Sequence, residues 1–126
     1  TDVVGTSADA RSVPLDLAKI AQMMLNKGAY GDKRFYSEET YEKMFPRRLS
    51  RRLYPPDADN FGIGVIFFKG EGLSDLTFGH GAASGSTLRI DPVNDLVVVM
   101  TRNAPGKNFE KYHAQFMKAV ADGIER

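Results

Sequence analysis

The chain has 126 residues and a net charge of +1, from 17 basic and 16 acidic side chains. Its hydrophobic fraction of 42% is too high for a disordered chain, and the near balance of charge argues against a surface that attracts nucleic acid. Cysteine is absent, which excludes disulfides and thiolate chemistry, and the longest apolar runs, Val65–Phe68 and Leu96–Met100, are far shorter than the ~20 residues of a membrane span.

Two helices are predicted in the first third of the chain. The first begins at Ser12, a good N-cap, and has Pro14 in its first turn, where the missing N–H costs nothing. It ends at Gly28, which suits the left-handed residue that closes a helix. The second begins at Ser37 and ends before Pro46.

Four β segments are predicted in the middle of the chain. Residues 61–68 alternate with period two, and Leu76–Gly81 forms a short strand that ends in small residues. The turn-forming residues 91–95 lie between two further β segments, Thr87–Ile90 and Leu96–Thr101. These segments are therefore predicted to form a hairpin.

A last helix is predicted after Asn108. Its apolar residues recur at intervals of three and four: Phe109, Tyr112, Phe116, Val120 and Ile124. Sequential strands joined by short turns imply an antiparallel sheet. The predicted fold class is therefore α+β, with a sheet of about four strands flanked by helices.

The segment from Phe78 to Thr87 holds the main candidate site. His80 ends a strand and is followed by five small residues, 81–85, along which a ligand could lie against the backbone. Main-chain N–H groups there could face a developing oxyanion. The structural alternative is a tight strand-to-strand turn with a histidine that serves only packing.

The run from Gly79 to Val99 resembles the C-terminal signature of the serine β-lactamase-like family. This family groups class C β-lactamases, penicillin-binding DD-peptidases and related esterases. Residues 12–28, 34–40 and 61–65 resemble a helix, a turn and a strand of the same family, in the same order. The resemblance thus spans nearly the whole chain as a single segment, 1–126.

The resemblance implies roles for five residues. His80 matches the first position of the family's Lys/His-Thr-Gly motif, and Ala83 lies where a main-chain N–H contributes to the oxyanion hole. Gly81, Ala82 and Ser84 would line the substrate. Gly81 stands where the family commonly has Thr or Ser, so a hydroxyl contact is missing. Ala82 stands where the family usually has Gly.

Two family motifs are absent from this chain. None of its serines has Lys three positions on, and none of its tyrosines begins a Tyr-x-Asn motif. The serines are Ser7, Ser12, Ser37, Ser50, Ser74, Ser84 and Ser86. Both motifs precede this region in the family. We therefore expect a C-terminal portion whose nucleophile lies in a missing N-terminal part, and which self-associates or pairs with that part.

The predicted function is that of a segment of a serine hydrolase, inactive alone, whose family acylates an active-site serine and then hydrolyses a lactam, an ester or a D-amino-acid peptide. The resemblance implies no metal and no cofactor, a small-molecule or peptide substrate, and a periplasmic or extracellular location. The alternative is a non-catalytic module that binds a peptide or a partner protein. A zinc site at His80 and His113, and nucleic-acid binding through the arginines of residues 47–52, are disfavoured.

Overall fold

The computed structural model describes residues 12–46 and 61–124. The elements, in chain order, are α1 (Pro14–Leu25), β1 (Ala29–Tyr30), β2 (Lys33–Arg34), α2 (Glu38–Met44), β3 (Ile66–Phe67), β4 (Phe78–Gly81), β5 (Thr87–Asp91), β6 (Leu96–Met100) and α3 (Phe109–Asp122). β1 and β2 form a small hairpin, while β3 to β6 form one antiparallel sheet in sequential order. The α+β prediction with a four-stranded antiparallel sheet is confirmed.

The first two helices begin and end close to the predicted residues, with two differences at the ends of α1. Val13, rather than Ser12, occupies the N-cap of α1, with Pro14 as the first helical residue. Gly28 has a positive φ of 98° as predicted, but Lys27 before it also has one, of 51°, so the left-handed turn begins one residue early. Ser37 caps α2 as predicted, because its hydroxyl accepts the Thr40 N–H at 3.1 Å.

The segment predicted as a strand over residues 61–68 is folded back on itself, so that prediction is wrong for most of its length. Only Ile66–Phe67 is a strand, and Phe61 bridges to Ile66. The Gly62 N–H donates to the Val65 carbonyl at 2.8 Å, and Gly64 has a φ of +72°. Glycine adopts this left-handed backbone at little cost, so the alternating glycines make a turn and not a continuous strand.

The core lies on the face of the sheet that α1 and α2 cover. Its buried members are Ala21, Tyr41, Val65, Phe78 and Ile90. Aromatic rings from α2 and the sheet meet edge to face, with centroids 5.1 Å apart for Phe45 and Phe78. This cluster holds β4 and β5 against the helices and so fixes the strand that carries the candidate site.

The opposite face of the sheet carries α3. Side chains alternate along β5, so Leu88 and Ile90 face the core while Thr87 and Arg89 face the other way. The Thr87 hydroxyl lies 3.0 Å from Nε2 of His113, which is on α3. The two faces of the sheet therefore have separate surroundings.

Candidate functional site

The candidate site lies at the end of β4 and in the turn that leads to β5. The Ala82 N–H donates to the Ser86 carbonyl at 3.1 Å, and the Gly85 N–H donates to the Ala82 carbonyl at 2.8 Å. Residues 81–83 are exposed, and Ser84 is half-buried. The small side chains thus form a tight, hydrogen-bonded turn whose outer edge is open to solvent.

His80 is the last residue but one of β4, and its side chain is exposed. Phe78 pairs with Ile90 and His80 pairs with Leu88, so the imidazole projects from the same face of the sheet as the core. Along β4, His80 follows Phe78 and Gly79, which are both buried.

The ring of His80 has a defined hydrogen-bonding arrangement. Its Nδ1 contacts the Gly81 carbonyl, and because a carbonyl only accepts, this contact is a hydrogen bond in the tautomer that carries its proton on Nδ1. In the neutral imidazole this leaves a lone pair on Nε2. In that tautomer Nε2 can accept a hydrogen bond from a group outside β4.

The main-chain N–H of Ala83 has no acceptor among the residues that the structure describes. In the same turn Ala82 and Gly85 use their N–H groups, whereas the N–H of Ser84, like that of Ala83, has no acceptor among the described residues. The Ser84 hydroxyl lies 3.0 Å from that of Ser86, whose oxygen also accepts the Arg102 N–H at 3.1 Å. The Ser84 hydroxyl is thus engaged within the turn.

Arg89 is a residue near the site that the sequence patterns did not single out. It is 4% exposed, and its guanidinium reaches the main-chain oxygen of His80 at 3.2 Å. The sequence around Arg89 gave no signal of these contacts. His80 lies on the neighbouring strand, and Glu71, which forms the ion pair with Arg89, lies in a loop.

The far face of the sheet, which carries α3, contains two adjoining cavities. They have volumes of about 480 Å³ and about 230 Å³ and share Glu71, Glu110 and His113. Of the predicted site residues, Gly81 and Ala82 line the smaller cavity, whereas His80 lies on the other face of the sheet and lines neither. The structure therefore does not bring His80 and His113 together.

No group of three or more His, Asp or Glu side chains within residues 12–46 and 61–124 is arranged to hold a metal ion. Within the same ranges, no helix is both long enough and apolar enough to cross a bilayer. The arginine loop of residues 47–52 lies outside the described residues.

Comparison with known proteins relates this chain to bacterial peptidases. No family model matches it. It is 37% identical over 98 residues to a protein of Escherichia coli O157:H7 named "Putative D-alanyl-D-alanine carboxypeptidase", and 34% identical over 98 residues to a protein of the same name from Salmonella newport. Each match covers 71% of this chain and 21% of the relative.

The chain is therefore similar to hydrolases of the peptidase type. It spans about a fifth of the length of these curated relatives. The relation agrees with the resemblance seen in the sequence at the level of a peptidase-like hydrolase.

Proposed function

We propose that this chain forms one wall of the active site of a serine hydrolase of the β-lactamase-like type. His80 and the main-chain N–H of Ala83 are the groups that act on the substrate, and Gly81, Ala82 and Ser84 shape the surface beneath it. The serine nucleophile and its lysine base belong to a part of the protein outside this chain. The relatives' name favours a peptide that ends in D-alanyl-D-alanine over a lactam or an ester.

The reaction requires this wall to donate a hydrogen bond to the oxyanion and to take part in proton transfer, and its residues can do both. Attack of the serine oxygen on the substrate carbonyl forms a carbon–oxygen bond and places negative charge on the carbonyl oxygen. The Ala83 N–H can donate to that oxygen, and a main-chain donor does this whatever its side chain is. The lysine base takes the proton of the attacking serine, and when the carbon–nitrogen bond breaks that proton passes to the leaving amine. Nε2 of His80 can accept a hydrogen bond within this proton network.

The observation that carries this proposal is the pairing of an exposed imidazole with an unused main-chain N–H three residues later. Nδ1 of His80 contacts the Gly81 carbonyl, and Nε2 has no partner among the described residues. Ala83 is exposed, and its N–H has no acceptor within the residues that the structure describes, a property that it shares with the half-buried Ser84.

The test uses the protein translated from the complete reading frame. We expect it to be labelled covalently by a fluorescent penicillin and to release D-alanine from a peptide ending in D-alanyl-D-alanine. His80→Ala should lower the rate of release by ~10² or more. His113→Ala, which changes a histidine on the opposite face, is the matched control. Equal rates for wild type and His80→Ala would refute the role of His80.

The second candidate function is a non-catalytic module that binds a peptide or partner protein. It is favoured by Gly81 and Ala82, which depart from the family's hydroxyl and glycine positions. It predicts that the complete protein binds the D-alanyl peptide without releasing D-alanine and is not labelled by the penicillin. Ser-x-x-Lys and Tyr-x-Asn motifs upstream in the same reading frame would count against it.

A further inference from the structure

The Arg89 guanidinium joins three segments of the chain beneath the candidate site. Its Nε and one terminal nitrogen bond to the two carboxylate oxygens of Glu71 at 2.6 Å and 2.9 Å. The other terminal nitrogen donates to the main-chain oxygens of His80 at 3.2 Å and Leu88 at 3.1 Å. The guanidinium carbon lies 3.2 Å from the centre of the Phe68 ring.

This arrangement needs arginine in particular. The planar guanidinium presents its N–H groups in a rigid fork, so it can bind a carboxylate with two bonds while a third nitrogen reaches main-chain oxygens. A lysine at position 89 would offer a point charge with no fork and would stack poorly on Phe68. The side chains of Arg89 and Glu71 are only 5% and 21% exposed, so each charge depends on the other for its compensation.

We propose that Arg89, held by Glu71, is a positioning residue for His80 and for the turn that carries Ala83. This inference rests on the proposed function, since it concerns the same site. Arg89 anchors the carbonyl of His80, which is the main-chain group between the imidazole and the start of the 81–85 turn. The loop around Glu71 thereby fixes where the imidazole and the Ala83 N–H stand.

The positioning role does not require Arg89 to contact the substrate, although Arg89 lines the smaller cavity together with Gly81 and Ala82. Arg89 faces the α3 side of the sheet, whereas the His80 ring projects from the core side. Its effect must pass through the backbone of β4. Because well-placed catalytic groups lose efficiency steeply with displacement, a shift of the strand end of about 1 Å is enough to be measured as a lower kcat.

The first test measures kinetics in the complete protein with Arg89→Lys and Glu71→Gln. We expect kcat for D-alanine release to fall about tenfold or more in both, with KM within about threefold, because the groups displaced act in the transition state. Lys118→Met is the control, since it removes an exposed ion pair with Asp122 on α3. Glu71→Gln keeps the shape of the side chain, so the test remains available if the Arg89 variant does not fold.

The second test reads the His80 ring directly by ¹⁵N NMR of the 126-residue chain. In the wild type we expect the Nδ1–H tautomer to dominate, and in Arg89→Lys or Glu71→Gln we expect its share to fall. Unchanged tautomer populations in both variants would overturn the positioning role.

The two proposals fail in distinguishable ways. If His80→Ala lowers kcat while Arg89→Lys and Glu71→Gln leave it within about twofold of wild type, the positioning role is wrong and the proposed function stands. If His80→Ala has no effect on turnover, the proposed function is wrong, and the NMR populations still decide whether Arg89 positions His80.

Discussion

The buried carboxylate of Asp91 accepts hydrogen bonds from both the main-chain N–H of Ser74, at 2.9 Å, and its hydroxyl, at 2.6 Å. Asp91 also accepts the N–H groups of Val93 and Asn94 and the side-chain amide of Asn94. One side chain thus shapes the β5–β6 turn and ties it to the loop before β4. That loop leads directly into the strand of the candidate site.

We predict that Asp91 makes the stability of the chain depend on pH in the acid range. Burial opposes ionisation, but the hydrogen bonds from Ser74 and Asn94 outweigh it and lower the pKa of Asp91 from 3.8 to about 2. A carboxyl with a depressed pKa stabilises the fold above its unfolded pKa, and that contribution, about 2 kcal/mol, is lost as the pH falls from about 4 to about 2. Thermal unfolding across this range measures it.

The variant Asp91→Asn should lose that pH dependence and be less stable at pH 7 by about 2–4 kcal/mol, because an amide N–H₂ would face the donors that the carboxylate now accepts. Asp95→Asn is the control. Asp95 is exposed with φ of 51°, a conformation that Asn tolerates, so its variant should unfold like the wild type. An acid-range profile in Asp91→Asn that matches the wild type would contradict the prediction.

Gly79 and Gly81 lie two residues apart on β4 and should respond in opposite ways to alanine. A Cβ on Gly79 would lie 2.0 Å from the Leu88 carbonyl oxygen, so β4 and β5 would have to separate. We expect Gly79→Ala to lower the free energy of unfolding by about 2 kcal/mol or more. At Gly81 the nearest atom to an added Cβ is the main-chain oxygen of Ser86 at 3.8 Å. Gly81→Ala should therefore lower the free energy of unfolding by less than about 0.5 kcal/mol. Denaturant unfolding of the two variants checks this, and equal stabilities would contradict it.

The 126-residue chain alone should not hydrolyse a chromogenic lactam or a p-nitrophenyl ester above background. None of its serines has the Lys three residues on that would take the serine's proton. Saturable turnover that is abolished by substituting one of its own serines would overturn this expectation. His80→Ala serves as the control for background imidazole catalysis of the ester.

We predict that the isolated chain self-associates through α1. Val13, Leu15 and Ile20 are 56%, 75% and 48% exposed, although all three are apolar. Sedimentation should show a mass that rises with concentration, and the double variant Leu15→Lys, Ile20→Lys should lower it. Tyr112→Lys, on the exposed side of α3, should leave it unchanged. A clean monomer at high concentration, with cooperative unfolding, would show that the chain closes its own core.

Several elements could be predicted from local sequence, because their causes are local. Ser37 caps α2 through a contact three residues away, and the residues 91–95 turn the β5–β6 hairpin through their own side chains. The strand prediction for residues 61–68 was wrong because period-two alternation with glycines fits both a strand and a tight turn. The positive φ of Gly64 shows that this segment is a turn.

By itself, the sequence determined the fold class, the order of the elements and the short segment that holds the candidate site. The tertiary structure alone decided that His80 and His113 lie on opposite faces of the sheet, and that Arg89 bonds to the His80 carbonyl and to Glu71. The physical reason is distance along the chain. Capping, turns and alternation act over a few residues, whereas Arg89 meets Glu71 across 18 residues only after β4 and β5 have paired.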